Sequence, residues 1–137
     1  MEGCVFCAIA AGTTPAEVVL DESEVLGFLD SRPVFPGHVL VVPRSHYETL
    51  TDLPGPLLPA VFGAVQRVAA AVVVGLEAHG SFVGVNNRVS QSVAHLHVHV
   101  VPRRFKDGLR GFFWPRRRYA DVEEMRATAE SIRRALV

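Results

Sequence analysis

The sequence has 137 residues and no excess of either charge, since fourteen basic and fourteen acidic side chains cancel. The net charge therefore favours neither a nucleic acid nor a membrane surface as a partner. No basic segment precedes an apolar core at the N-terminus, so we expect no signal peptide. The longest apolar run, around 68–76, falls short of the roughly 20 residues that a membrane-spanning helix needs. These absences predict a cytoplasmic protein that does not cross a membrane.

Cysteine is also scarce, and the two residues form one short motif, Cys4-x-x-Cys7. In a reducing cytoplasm, two cysteines are more often thiols or metal ligands than a structural disulfide. A Cys-x-x-Cys pair fits a redox site as well as zinc, but the βαβ pattern that accompanies a redox motif is missing here. Two free thiols in a small N-terminal core remain the other interpretation.

The pattern of apolar residues predicts alternating short strands with two longer helices. The composition, 49% hydrophobic and 20% charged, is that of one globular domain. Strands that adjoin in sequence, with helices segregated from them, predict an α+β fold with an antiparallel sheet. The predicted elements are a helical turn at 4–11, strands at 18–21, 25–29 and 38–43, a long helix at 56–78 with Asp52 as its cap, strands at 81–86 and 93–101, and a closing helix at 122–136.

Three histidines stand at alternate positions of the last predicted strand: His95, His97 and His99. Alternation on a strand places every second side chain on one face. Imidazole has an unperturbed pKa of about 6.5, which makes it an acid, base, nucleophile or metal ligand at neutral pH. This stretch is therefore predicted to be a functional site.

The preceding loop, 86–92, is rich in amide and hydroxyl side chains. Such donors beside a histidine nucleophile suit an electrophile with several anionic oxygens, such as a phosphate. A surface turn would be rich in the same residues, so the loop alone leaves both interpretations open.

The run His95-Leu96-His97-Val98-His99-Val100-Val101 resembles the signature of the histidine-triad (HIT) family, in which apolar residues separate and follow three histidines. Further similarity covers about residues 4–104, at Phe28-Leu29-Asp30, 37–43, Asn86 and Gln91-Ser92. The resemblance implies a HIT-like antiparallel sheet with one long helix and a C-terminal helix, in a homodimer. It also implies binding of a nucleotide that contains AMP or GMP, and hydrolysis or transfer of the nucleotidyl group.

The resemblance also implies a role for each matching residue. His97 would attack the α-phosphorus, while His99 and His38 would flank the phosphate and His99 would assist the leaving group. The residues implied to bind substrate are Phe28 and Leu29 at the base, Asp30 at the ribose hydroxyls, and Asn86, Gln91 and Ser92 at phosphate oxygens. The weaker alternatives are that Asp30 caps a turn and that His38 is merely a strand-edge histidine.

One branch of the family carries a structural zinc ion, and its ligands match Cys4, Cys7, His46 and His95. On this resemblance His95 is structural, and catalysis itself needs no metal.

The C-terminal part, 105–137, is expected to pack on the same domain as the HIT region, 1–104. Seven basic residues lie between positions 103 and 118, interleaved with aromatics that include Trp114. Such a segment fits nucleic-acid phosphates, a substrate polyphosphate or a solvated loop, and we consider nucleic acid the weakest of these. Ser90 stands where similar family members commonly have glycine. The subfamily, and with it the identity of the leaving group, therefore stays open. The alternative function is a nucleotide-binding regulatory or interaction protein with negligible turnover.

Overall fold

Five short strands rich in β-branched residues form one antiparallel sheet in the computed structural model, which describes residues 1–109 and 116–137. The sheet order is β1-β2-β3-β5-β4. The elements in chain order are α1 (Val5–Ala10), β1 (Val18–Asp21), β2 (Val25–Leu29), β3 (Val39–Pro43), α2 (Leu58–Gly75), β4 (Gly80–Val85), β5 (Val98–Arg103) and α3 (Val122–Ala135), with 3-10 turns at Leu50–Asp52 and Gly55–Leu57 before α2.

The predicted α+β fold is confirmed, and the bounds of β1 and β2 are as predicted. The prediction for the histidine strand was wrong at its start, because pairing begins at Val98 and not at residue 93. His95 and His97 precede the strand, where the backbone N–H of Leu96 donates instead to the carbonyl of Tyr47 at 2.6 Å. The triad therefore does not lie on one regular strand.

Strand alternation divides the core between the two faces of the sheet. One face packs against α2 through residues such as Val41, Val98 and Val100, each 0% exposed. The opposite face packs against α1 through Phe6, Leu26, Phe28, Leu40 and Val42. His97 and His99 lie toward this second face, so α2 stabilises the sheet from the side away from them.

Helix α2 begins later than predicted because Gly55–Leu57 forms a separate 3-10 turn before it. Asp52 caps the earlier turn and not α2, since its carboxylate accepts from the backbone N–H of Thr49 at 3.0 Å. In the described chain, Gly55–Gly75 is long and apolar enough to span a membrane by length and composition, contrary to the estimate from 68–76 alone. Its buried stripe packs on the sheet, as in the core helix of a globular domain: Val61, Ala64, Val65, Val68 and Val72.

The chain divides into two compact units, Met1–Asp107 and Gly108–Val137. In the second unit, Asp121 caps α3, because its carboxylate accepts from the backbone N–H of Glu124 at 2.8 Å. Trp114 and Arg110, both in the predicted basic and aromatic segment, lie outside the described residues. Packing of 105–137 on the HIT region stays a prediction.

Two glycines provide a matched test of the contact between the segment before β3 and Leu76, the residue after α2. Gly37 has φ +98°, and a Cβ there would collide with the side chain of Leu76. Gly37→Ala should lower the free energy of unfolding by about 1–2 kcal/mol through backbone strain and displacement of Leu76. Gly63 in α2 has no atom within 4 Å of such a Cβ, so Gly63→Ala should raise it by roughly 0.5–1 kcal/mol. Urea unfolding measures the change in unfolding free energy of both variants. Equal changes would show that Gly37 is not constrained by its backbone conformation and by Leu76.

Candidate active site and metal centre

His97 is held in one tautomer by a backbone carbonyl. Its Nδ1 lies 2.7 Å from the carbonyl oxygen of His95, and the side chain is buried. A carbonyl oxygen only accepts, so Nδ1 must carry the proton and donate it. The lone pair of a neutral His97 ring is consequently on Nε2. The site thus presents an imidazole nitrogen ready for nucleophilic attack.

A second chain of hydrogen bonds fixes His38 and His99. The backbone N–H of Val34 donates to His38 Nδ1 at 3.1 Å, and His38 Nε2 lies 2.9 Å from His99 Nδ1. Because His38 Nδ1 accepts, its Nε2 is the protonated atom, and it donates to His99 Nδ1. The proton of a neutral His99 is then on Nε2. His99 therefore offers a hydrogen-bond donor where His97 offers a lone pair.

Burial keeps these two histidines neutral at physiological pH. It lowers the pKa of His99 to about 4, and the nearby rings of His97 and His38 add to the effect. Burial likewise lowers the pKa of His38, although the carboxylate of Asp30 partly opposes the shift. That carboxylate lies 3.8 Å from His38 Nδ1, too far for a hydrogen bond.

A cavity of about 900 Å³ opens beside these rings. Six predicted site residues line it: Phe28, Leu29, Asp30, Ser92, His97 and His99. The lining combines apolar side chains with the two histidines, hydroxyls and carboxylates. An apolar wall with a few converging polar groups is typical of a small-molecule site, and the volume suits a nucleotide.

Some predicted site residues have structural contacts of their own. Asp30 lines the cavity and also caps a turn, because its Oδ1 accepts from the backbone N–H of Arg32 at 2.9 Å. The side-chain amide of Gln91 donates to the carbonyl of Glu48 at 2.6 Å and accepts from the backbone N–H of Arg88 at 2.8 Å. Gln91 and Asn86 do not line the cavity described here. Gln91 instead fastens the 86–92 loop to the neighbouring chain.

The 86–92 loop is strained at two non-glycine positions. Arg88 has φ 67° and Ser90 has φ 60°, both in the left-handed region that favours glycine. The carboxamide oxygen of Asn87 accepts from the backbone N–H of Leu50 at 2.8 Å. This contact and those of Gln91 hold the strained backbone in place.

Helix α1 provides a part of the cavity wall that was not predicted from the sequence. Val5, Phe6 and Ile9 all line the cavity. The ring of Phe6 meets that of His97 edge-on, with centroids 5.1 Å apart and an interplanar angle of 82°. The sequence offers one signal for this wall, the apolar residues around the Cys-x-x-Cys motif. Those residues predict a helical turn but not its contact with a cavity.

The four predicted zinc ligands come together beside α1. Their candidate donor atoms, the two Sγ and the two imidazole nitrogens, all lie within 4.8 Å of one another. Cys4 Sγ and Cys7 Sγ are each 3.5 Å from His95 Nδ1, and Cys7 Sγ is 3.4 Å from His46 Nδ1. Typical Zn–S and Zn–N bonds in a tetrahedral site place sulfur and nitrogen about 3.5 Å apart.

The orientation of His95 also fits a metal ligand. Its Nε2 lies 2.8 Å from the carbonyl oxygen of Pro43, so this nitrogen carries the proton. The lone pair on Nδ1 then faces the two cysteines. A metal-bound histidine commonly donates its other N–H to a carbonyl in this way. The donor set and its spacing therefore fit a tetrahedral zinc ion.

Comparison with known proteins identifies the family. A model of the HIT domain matches residues 11–106. The crystal structure of a HIT family member from Bacillus subtilis has a TM-score of 0.90 and 34% identity, covering 99% of each chain. The protein belongs to the HIT family, as the triad motif predicted.

Two further similarities bear on the chemistry of the site. A structure described as a Zn-bound histidine triad family protein from Mycobacterium smegmatis is 38% identical with a TM-score of 0.75, covering 98% of each chain. The adenylylsulfatase HINT3 of Arabidopsis thaliana is 32% identical over 108 residues, which make up 77% of this chain and 55% of that protein.

Acid should destabilise the fold through His99. Its pKa is about 4 in the folded chain, against an ordinary value of 6.5. Between these values the unfolded chain binds more protons, so stability is present above pH 6.5 and is lost as pH falls toward 4. In His99→Asn, which keeps an acceptor for His38, the loss of unfolding free energy between about pH 7 and pH 4.5 should shrink by roughly 1–3 kcal/mol. Urea unfolding at both pH values measures it.

The control for this experiment is His79→Asn, because His79 is exposed and contacts none of these rings. Its pH dependence of unfolding should follow that of the wild type. An unchanged pH dependence in His99→Asn would show that His99 is not the group responsible.

Proposed function

We propose that the protein hydrolyses or transfers the nucleotidyl group of a purine nucleotide conjugate, through a covalent intermediate on His97. Phosphoramidates and dinucleoside polyphosphates are the expected substrate classes. The observation that carries the proposal is the hydrogen bond from His97 Nδ1 to the His95 carbonyl, because it leaves Nε2 as a lone pair in a nucleotide-sized cavity. Similarity to a plant adenylylsulfatase supports chemistry at phosphorus and adds adenylyl sulfate to the substrates worth testing.

The first step forms one bond and breaks one. The Nε2 lone pair of His97 attacks the α-phosphorus, and the bond between phosphorus and the leaving group breaks with its electrons on that group. The ring becomes positively charged, and its Nδ1–H bond to the His95 carbonyl strengthens. A hydrogen bond to a charged group is worth about 1.5–3 kcal/mol, so this carbonyl stabilises the intermediate. His99 Nε2–H donates to the departing atom.

The second step regenerates the histidine. Water attacks the phosphorus, and the nitrogen–phosphorus bond breaks with its electrons returning to His97 Nε2. The proton lost by the water neutralises the departed group or enters solvent. An acceptor other than water would make the same reaction a transfer.

The remaining cavity residues position the nucleotide. Phe28 and Leu29 contact the purine, and the Asp30 carboxylate accepts hydrogen bonds from the ribose hydroxyls. Ser92 donates to a phosphate oxygen. Asn86 and Gln91 join it when nucleotide binding releases the contacts that hold their loop.

Zinc would be held by Cys4, Cys7, His46 and His95, and it supplies a structural crosslink between α1, the segment after β3 and the triad. No catalytic step passes through it. We also propose that the protein is a cytoplasmic homodimer that acts on a small-molecule nucleotide, with neither a membrane nor a nucleic acid as its partner.

The nucleophile assignment is tested by His97→Ala. The variant should lose turnover by at least about a thousandfold while AMP binding changes by less than about tenfold, because the attack contributes only in the transition state. Turnover should be measured on a nucleoside phosphoramidate, a dinucleoside polyphosphate and adenylyl sulfate. His79→Ala is the matched control and should keep wild-type rates.

Mass spectrometry of the wild type with a slow substrate provides the second arm. A nucleotidyl adduct on His97 supports the mechanism, whereas an adduct on another histidine overturns the assignment. AMP binding without turnover of any of the three substrates would favour a regulatory nucleotide-binding module instead.

The zinc site is tested by Cys7→Ser. The wild type should contain about one zinc per chain by elemental analysis. The variant should lose most of it and melt at a lower temperature, since metal-binding energy is also folding energy. Cys4→Ser should behave alike, whereas Ser45→Ala, beside His46 in sequence but with no metal-ligating side chain, should not. Metal-free wild type that melts at the temperature of zinc-loaded protein would show that the cysteines are core thiols.

A further inference from the structure

Helix α1 forms part of both sites. Cys4 is its N-cap, and Cys4 Sγ accepts from the backbone N–H of Cys7 at 3.4 Å. The two cysteines therefore bracket the first turn, with both sulfurs at the metal centre. Phe6 lies between them in sequence, and its side chain lines the nucleotide cavity. A helix of six residues has too few hydrogen bonds to hold this geometry without tertiary contacts.

Phe6 contacts residues of the Cys/His cluster and residues of the cavity. It is 7% exposed, and its ring lies edge-on to three others. The ring centroids are 5.1 Å from His97, 5.9 Å from His95 and 5.4 Å from Phe28. Edge-on aromatic contacts of this length are attractive and depend on orientation. A shift of α1 therefore moves the wall of the cavity and the support of the nucleophile together.

His95 provides a second connection. Its ring nitrogen Nδ1 faces the cysteines, while its backbone carbonyl accepts a hydrogen bond from the Nδ1–H of His97. A metal ion that fixes the His95 ring also restricts the backbone that selects the His97 tautomer. Two paths thus connect the Cys/His cluster to His97, one through the packed ring of Phe6 and one through the hydrogen bond of the His95 carbonyl. Physical coupling between sites requires a contiguous network of this kind.

Building on the proposed function, we propose that Phe6 is a positioning residue that couples the metal centre to the nucleotide cavity, so that Zn²⁺ and nucleotide bind cooperatively. Zinc draws Cys4 and Cys7 together and orders α1, and Phe6 then presents a fixed edge to His97 and a fixed wall to the base. Coupling of this kind is reciprocal, so nucleotide must strengthen zinc binding by the factor by which zinc strengthens nucleotide binding.

Cobalt-substituted protein provides a direct test, because the visible absorption bands of tetrahedral Co²⁺ report the geometry of its ligands. AMP should shift these bands in the wild type. The AMP concentration at the midpoint of the shift should match the midpoint of AMP binding measured by calorimetry. In Phe6→Ala, most of the shift should disappear although Co²⁺ and AMP still bind. Phe6→Leu, which keeps the burial and removes the aromatic edge, replaces it if the alanine variant does not fold. Phe62→Ala, on α2 and away from both sites, should behave as wild type.

A competition assay with a zinc chelator gives the magnitude. Saturating AMP should raise the zinc affinity of the wild type by about fivefold or more, within the usual range of coupling between sites, and that of Phe6→Ala by much less. AMP binding with no effect on the cobalt bands or zinc affinity overturns the coupling and leaves the proposed function standing. A full effect in both Phe6 variants overturns the role of Phe6. Failure of AMP to bind the wild type overturns the proposed function, and the coupling with it.

Discussion

The hydrogen bond from His97 Nδ1 to the carbonyl of His95 is the contact on which the candidate chemistry depends. It determines which nitrogen carries the lone pair, and it faces the charge that develops on the ring during attack. The carbonyl is available because regular pairing in β5 starts only at Val98. In a strand that began at residue 93, this part of the backbone would form ladder hydrogen bonds instead. The late start of the strand therefore accompanies the hydrogen bond that selects the His97 tautomer.

The same departure from regular alternation separates the three histidines by role. On an ideal strand, residues two apart point to the same face, and all three rings would line one surface. Here the ring of His95 faces the cysteines, while those of His97 and His99 line the cavity. The backbone of His95 nevertheless stays beside His97. One residue thus contributes its side chain to the Cys/His cluster and its carbonyl to the hydrogen bond with His97.

Local pattern predicted much of the fold, and its failures have physical causes. Two short apolar runs on either side of the acidic turn at 21–24 predicted the bounds of β1 and β2, because such runs around a turn are typical of a hairpin. Local pattern misplaced the start of the histidine strand, where the backbone N–H of Leu96 binds the distant Tyr47 instead of a strand neighbour. It also missed Phe6, whose contact with His97 joins residues ninety-one positions apart in sequence. Contacts between residues so far apart in sequence produce no periodic pattern from which they could be predicted. The role of Gln91 in fastening its loop was likewise hidden, since an amide suits a phosphate and a carbonyl equally well.

The two faces of the sheet explain how such a site is tolerated. Holding His38 and His99 neutral in a buried cluster costs stability as the solution becomes acidic, because each ring would be protonated more readily in the unfolded chain. The opposite face compensates, since the strands pack there against α2 through fully buried valines. The cluster side gains its own support from α1, which is short and has the Cys/His cluster at its start. The side that carries the histidines thus has the Cys/His cluster beside its short helix, whereas the side that faces α2 is stabilised by hydrophobic packing and by the ion pair of Arg67 with Glu22.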